Sequence, residues 1–288
     1  MECRSPTAYR NAAMRSQKML ESTILTDVPI VYDSRRGRAF SLSSGNMNTS
    51  QPFQNKVALV TGATRGIGRA IAKMLLQEGA SVAICGRDRE AVSRSVTELS
   101  SETPGKVKGK AADVKDYEQV CALFEFVDRE FGGLDFLVNN AGVGRFAKVS
   151  EISIQDWHAT LDTNLTGAFY CSREALFRFG NRGGGYIVNI SSLAGKHAFA
   201  GGAAYNASKF GLNGFSEALM LDARYDHVRV STIMPGSVAT QFGNSELGSD
   251  WKIWPEDVAQ IVRMLLEMPE RTLISRVEVR PSQPKRST

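Results

Sequence analysis

At 288 residues, with 42% hydrophobic and 23% charged side chains, the chain is long enough to bury a substantial core and suits one large α/β domain or two small ones. No apolar run reaches the roughly 18 residues of a membrane helix, so no membrane-spanning role is expected. The net charge of +5 is uneven: residues 1–46 carry seven Lys and Arg against four Asp and Glu, and the rest carries 28 against 26, which leaves no basic footprint for nucleic acid.

Residues 1–52 have no core pattern, only scattered Arg and Ser in "DSRRGRAF" and the polar stretch "SLSSGNMNTSQP". A secretory signal needs an apolar segment that is missing here. Three readings compete: a disordered tail, an upstream extension whose real start is Met47, and an organelle presequence. Glu2, Glu21, Asp27 and Asp33 count against the last, because transit peptides are poor in acids.

Residues 53–288 read as one folded domain. "KVALV" is a short apolar strand ending in the turn "TGATRGIG", and "RAIAKMLLQEGA" has helical spacing and closes on Gly79. A second strand, "SVAIC", precedes the helix "DREAVSRSVTELS"; a third, "VKGKAADV", precedes "DYEQVCALFEFVDREFGG". "LDFLVNNAG" is the fourth strand, followed by one long helical region from Ser153 to Phe179 and the fifth strand "GGYIVNISS". A helix carrying "YNASK" leads to the sixth strand "VRVSTIMPG", the helix "PEDVAQIVRMLLEM" and a seventh strand "ISRVEVRP". Short apolar runs alternating with helices predict βαβ units: a Rossmann-type, doubly wound, seven-stranded parallel sheet covered on both faces.

Cys3, Cys85, Cys121 and Cys171 form no C-x-x-C pair, which argues against a disulfide framework and suits a reducing, cytoplasmic setting. With His158, His197 and His227 equally scattered, no metal site is expected.

The turn Gly62-Ala63-Thr64-Arg65-Gly66-Ile67-Gly68 lies between a strand and a helix, where glycines let a pyrophosphate approach the helix N-terminus. Its spacing is G-x-x-x-G-x-G and departs from the strict G-x-G-x-x-G fingerprint. An acid at the tip of the second strand would select NAD, and an Arg would accommodate the extra phosphate of NADP. Here the strand runs into Gly86-Arg87, and Arg65 is a second cation within reach. Asp88 lies about twenty residues past the turn, near the interval of an NAD acid, but its place two residues beyond Gly86 is that of a helix cap. NADP(H) is therefore expected ahead of NAD(H), plain surface charge being the other reading of the two Arg.

Tyr205 and Lys209 stand four apart and share a helical face. An ammonium there would favour the phenolate and lower the phenol toward working pH, making a general acid/base. A lone Y-x-x-x-K equally describes a surface Tyr beside a Lys.

With the glycine turn, N-N-A-G at 139–142, N-I-S-S at 189–192 and Y-x-x-x-K in one chain order, the sequence resembles the short-chain dehydrogenase/reductase family over residues 56 to about 280. The resemblance implies Tyr205 as the acid/base for a carbonyl, and Lys209 as the residue that lowers its pKa and holds the nicotinamide ribose. It implies Ser192, thirteen positions before the Tyr, as the group that orients the carbonyl, in preference to Ser191 on the alternate side of the strand. Asn164 matches an Asn that distorts its helix and holds a water linking Lys209 to solvent. For the cofactor it implies Gly62, Thr64, Arg65, Gly66, Ile67, Gly68, Arg87, the pair Asp113-Val114 near the adenine, and Asn139, Asn140, Ala141 and Gly142 along the adenosine. Pro235, Gly236, Val238 and Thr240 would clasp the nicotinamide.

Substrate identity is expected from the loops Val143–Ala147, Leu193–Phe199 and Gln241–Trp254 beyond the strand ends. The ending "RVEVRPSQPKRST" departs from the ketoacyl reductases of fatty-acid synthesis and is more like members acting on short hydroxy acids or broader carbonyls. Leu212, Phe215 and Leu219 match a surface that relatives use to form dimers and tetramers, with core packing as the other reading. The expectation is thus an NADP(H)-dependent oxidoreductase interconverting a small carbonyl and an alcohol. A 3-oxoacyl-thioester reductase and a dinucleotide-binding sensor are the alternatives.

Overall fold

The computed structural model describes residues 51–242 and 250–284, with the backbone of two short strands, Ile30–Asp33 and Arg38–Ser41. Those strands pair antiparallel within a unit of residues 1–51, separate from the unit of residues 52–288. Apart from that hairpin, the three readings of residues 1–52 fall outside the described residues.

The second unit is built on seven strands: β1 Val57–Thr61, β2 Ser81–Gly86, β3 Val107–Ala111, β4 Phe136–Asn139, β5 Gly185–Ile190, β6 Val228–Pro235 and β7 Arg276–Val279. All pair in parallel, in the order β3-β2-β1-β4-β5-β6-β7. The expected doubly wound sheet is present. Its helices are α1 Gly66–Gln77, α2 Arg89–Glu102, α3 Tyr117–Phe131, α4 Ile154–Leu161, α5 Gly167–Phe179, α6 Ala203–Ala223 and α7 Pro255–Glu267. Among the described residues no helix is long and apolar enough to cross a membrane.

The strand run Val57-Ala58-Leu59-Val60 is apolar at every position because both faces of the sheet are covered. Ala58, Val60, Val82 and Ile84 belong to one core cluster with Ile71 and Leu75 of α1 and Val258 and Val262 of α7. Val57, Leu59, Ala83 and Cys85 belong to the other, with Leu123 and Phe124 of α3 and Cys171 and Ala175 of α5. Successive strands step outward from β1 to β3, then resume on the other side at β4, so a crevice opens between the C-terminal ends of β1 and β4.

Two expectations change. The long helix from Ser153 to Phe179 is interrupted, because Asp162–Thr166 winds as a π-helical turn between α4 and α5. The α6 face expected to meet another subunit is core in part: Leu212 and Leu219 are buried, and Phe215 packs against the cluster. The exposed apolar side chains nearby are Phe210 and Leu221 of α6 and Phe169 and Phe177 of α5.

A polar seam crosses this otherwise apolar interior. Asn139 of β4 and Asn189 of β5 stand opposite one another in the ladder. Asn139 Nδ2 donates to Asn189 Oδ1 at 2.9 Å and to Ser172 Oγ of α5 at 3.0 Å. Asn189 Nδ2 in turn donates to Ser216 Oγ of α6 at 2.8 Å. These bonds tie both helices to adjacent strands, while Asn139 Oδ1 is buried without a partner among the described residues.

Candidate active site

At the end of β1 the chain turns sharply. Gly62 has φ +63°, and a Cβ there would lie 2.8 Å from Ala141 Cα, so only glycine fits between turn and β4. Gly68 is packed as tightly: an added Cβ would lie 2.5 Å from the Gly62 carbonyl oxygen and would strike the Asn140 amide. That amide braces the turn, donating to the carbonyls of Thr61 at 2.9 Å and Gly62 at 3.0 Å. Gly68→Ala is expected to lose about 1–3 kcal/mol of stability through overpacking and to weaken dinucleotide binding. Urea melts and a fluorescence titration check both, and an unchanged midpoint would contradict the packing account.

Helix α1 begins there without a side-chain cap, whereas α2, α3 and α4 are capped by Asp88, Asp116 and Ser153. The first N–H groups of α1 are therefore left for an anion. Asp88 Oδ1 accepts from Glu90 N at 2.9 Å and Ala91 N at 3.2 Å. Its carboxylate is occupied as a helix cap, and Arg87 is the charged side chain at the β2 tip that faces the cleft.

The cleft has a volume of about 1080 Å³ and runs from this turn past the ends of β4, β5 and β6. Of the expected residues, Gly62, Thr64, Arg65, Gly66, Ile67, Arg87, Asp113, Val114, Ala141 and Gly142 line its first half. Ser192, Tyr205, Lys209, Pro235, Gly236, Val238 and Thr240 line its second. Three do not line it. Gly68 sits beneath the turn, Asn139 is drawn into the polar seam, and Asn164 supports the wall from behind. Asn139 and Asn140 point to opposite sides of the β4 end, as alternation requires, and Asn140 is the one in the cleft.

Ser192 follows β5 and Tyr205 opens α6, and the two side chains face the same cleft, where the Ser192 hydroxyl is near enough to act on the phenol. Ser191 Oγ, on the alternate side, is buried without a hydrogen-bond partner. Lys209 is 4% exposed; its Nζ donates to the Ile190 carbonyl at 2.9 Å and lies 5.8 Å from the Tyr205 ring centre. Burial in the cleft wall pushes the Tyr205 phenol above its ordinary value, and the opposing pull comes from the Ser192 hydroxyl. Burial also brings the Lys209 ammonium down to about 8. Both effects disfavour charge in a low-dielectric wall.

Asn164 lies in the π-helical turn and is 1% exposed. Its Oδ1 accepts from Val143 N at 2.8 Å, and its Nδ2 donates to Val143 O and Ser208 Oγ, both at 2.9 Å. The side chain is thus committed to the β4 loop and to α6.

Sequence reasoning passed over Asn206 and Asn213, seven apart on α6. Asn206 Nδ2 donates to Ala194 O at 2.6 Å and Asn213 Nδ2 to Gly195 O at 3.0 Å, so the helix bearing Tyr205 also holds the loop that follows Ser192. Two asparagines at heptad spacing, poor interior helix residues, were the available signal.

The model of the family described as short chain dehydrogenase matches residues 56–249. A 3alpha-hydroxysteroid dehydrogenase of Mediterraneibacter gnavus is 37% identical over 189 residues, 65% of this chain and 76% of its own length. The X-ray structure of an alcohol dehydrogenase from the archaeon Thermococcus sibiricus, complexed with 5-hydroxy-NADP, is similar with a TM-score of 0.75 and 28% identity, covering 81% of this chain and 99% of that one. A metagenomic short-chain oxidoreductase in complex with NADP gives a TM-score of 0.72 at 36% identity, covering 81% of this chain and 100% of that one.

Proposed function

Because the chain belongs to the short-chain dehydrogenase family, we propose that it is an NADP(H)-dependent oxidoreductase interconverting a small carbonyl compound and its alcohol, with Tyr205 as the acid/base. The observation that carries the reading is Ser192, Tyr205 and the buried Lys209 brought together in one cleft with an uncapped helix N-terminus. The cleft residues fit a phosphorylated dinucleotide. The glycine turn leaves room for a pyrophosphate, Arg65 and Arg87 offer cations for the additional phosphate, and no carboxylate competes at the β2 tip.

The bound nicotinamide supplies or accepts the hydride. The chain's residues manage the proton and the geometry. In reduction, the Tyr205 phenol donates its proton to the carbonyl oxygen, and solvent restores it afterwards. Ser192 holds that oxygen beside the phenol, and its link to the backbone at Ala194 N, 3.1 Å, keeps the hydroxyl in place. The charged Lys209 offsets the negative charge developing on the phenolate. The burial-raised phenol is protonated at neutral pH, as a donor must be, and a nearby cation that stabilises the phenolate offsets the loss of acidity that burial brings.

The half-exposed Phe169 and Phe177 of α5 and Phe210 of α6 support assembly as a homodimer or homotetramer through these helices. The chemistry is tested by following NADPH loss with small aldehydes and ketones and, in parallel, an acetoacetyl thioester. Turnover of the small carbonyls supports the reading; turnover of the thioester alone would transfer it to acyl-chain reduction. Arg65 and Arg87 carry a separate prediction. Replacing both with Ala should raise the Kd for NADPH by about 10–100-fold, as expected for charge-assisted hydrogen bonds to phosphate. NADH binding should move far less. Equal losses for both dinucleotides in fluorescence titrations would remove the phosphate-recognition role.

A further inference from the structure

Beside Tyr205 the cleft is walled by aromatic rings. Phe146 and Phe242 each lie 5.6 Å from the Tyr205 ring, centre to centre, and Phe199 lies 5.8 Å from Phe146. The rings meet tilted or edge-on, with interplanar angles of 74°, 51° and 52° respectively. Phe146 and Phe199 are each 47% exposed, although phenylalanine is normally buried and exposed apolar clusters mark binding surfaces. Gly144 lets two of them pack directly against its backbone. A Cβ there would lie 2.7 Å from the Phe146 ring and 2.8 Å from the Phe242 ring.

The walls are fixed before any ligand arrives. Ala147 N donates to Gly201 O at 2.9 Å, which anchors the Phe146 loop to the segment leading into α6. Asn206, the neighbour of Tyr205, accepts from Phe199 N at 3.4 Å and donates to Ala194 O at 2.6 Å and His197 O at 3.3 Å. Phenol, Phe146 and Phe199 are therefore held on or beside one helix, and such preorganisation reduces the entropy lost on binding.

Resting on the carbonyl-reduction reading, we infer that Phe146, Phe199 and Phe242 form the subsite for an aromatic ring carried close to the reacting carbonyl. Aromatic pairs gain beyond their buried area when they meet edge-on or offset, as these rings already do with one another. A carboxylate or phosphate placed among three phenyl rings would lose its hydration without a partner, which turns short hydroxy acids away. The occupant is a ketone or aldehyde bearing an aryl group within a carbon or so of the carbonyl, with its oxygen on Tyr205 and its ring among the phenylalanines.

Phenylacetone and cyclohexylacetone present electronically similar carbonyls on rings of similar size, so their comparison isolates aromaticity. The wild-type protein is expected to favour phenylacetone by roughly tenfold in kcat/KM, and the ratio should fall toward unity in the Phe146→Leu and Phe242→Leu double variant. Equal rates in the wild type, or a ratio that survives the double variant, would overturn the subsite. Propanal, which has no ring, reports on carbonyl reduction by itself. If propanal and both ketones are all inert, the reduction reading fails, and titration calorimetry of the NADP-bound protein with the two ketones decides the subsite. A phenylacetone preference lost in the double variant sustains the subsite, and equal affinities reject it.

Discussion

Tyr205→Phe is expected to lower kcat for carbonyl reduction by about a thousandfold or more while leaving the Kd for NADPH nearly unchanged. A positioned acid contributes on the order of 10²–10⁴ in rate, and no second hydroxyl can replace the phenol, because Ser192 is not acidic enough to deliver a proton alone. The substitution is structurally mild. The Phe ring keeps the contacts of Tyr205 with Phe146 and Phe242 at 5.6 Å, and the Ser192 hydroxyl keeps its bond to Pro235 O at 3.4 Å. Single-turnover absorbance at saturating NADPH separates chemistry from binding. Loss of less than tenfold would mean that the proton comes from elsewhere, and the acid/base assignment would fall.

Lys209→Met should cost nearly as much activity and yet make the cofactor-free protein more stable. The folded-state value of about 8 against an ordinary 10.5 corresponds to a penalty of about 3 kcal/mol for holding the ammonium in the wall near neutral pH. Methionine removes that penalty but leaves the Ile190 carbonyl without its ammonium donor, at a cost of about 1–3 kcal/mol. A net gain of up to about 2 kcal/mol follows. Its pH dependence has a definite sign. Below pH 8 both states of the wild type are protonated and the whole penalty applies. Between about 8 and 10.5 the unfolded chain binds the extra proton, so wild-type stability rises with pH and the advantage of methionine fades. Urea midpoints at about pH 7 and about pH 10 test this. In parallel, kcat/KM for NADPH in the wild type should decline as pH rises through about 8, because the free enzyme then loses the cation. A gain in stability that persists unchanged at high pH would show that burial of the charge is not its source.

The layout of the sheet was legible because both-face burial leaves unbroken apolar runs such as Val57–Val60, and because helices of ordinary length separate them. Capping was legible too: Asp88 acts as its position after Gly86 suggested. The break between α4 and α5 was readable only through the resemblance, since a π-helical turn leaves the apolar pattern of Ser153 to Phe179 almost intact. Spacing placed Tyr205 and Lys209 on one face, but it carries no information on burial, and burial decides the direction in which each side chain's proton affinity moves. Asn139 and Asn140 illustrate a finer limit. They alternate sides, and which side meets the cleft depends on where α5 packs. The three substrate loops were identifiable from their place after the strands, and each contributes one ring of the aromatic wall. Which ring faces Tyr205 depends on loop backbone paths that no periodicity encodes.

The asparagine pair in the centre of the sheet also bears on how the chain finds its strand alignment. Parallel strands rich in Val and Ile would tolerate a slip of one residue at small cost to their apolar contacts, because both faces are equally greasy. With Asn139 opposite Asn189, such a slip would turn one amide toward the aliphatic layer under α1 and α7 and strand its partners on the other face. Each stranded group costs about 1–3 kcal/mol. The same slip would carry Ser192 about 3.3 Å along the sheet, away from the phenol. The misalignment most harmful to chemistry is therefore also one of the least stable, and the seam proofreads the active site during folding, before any ligand is present to do so.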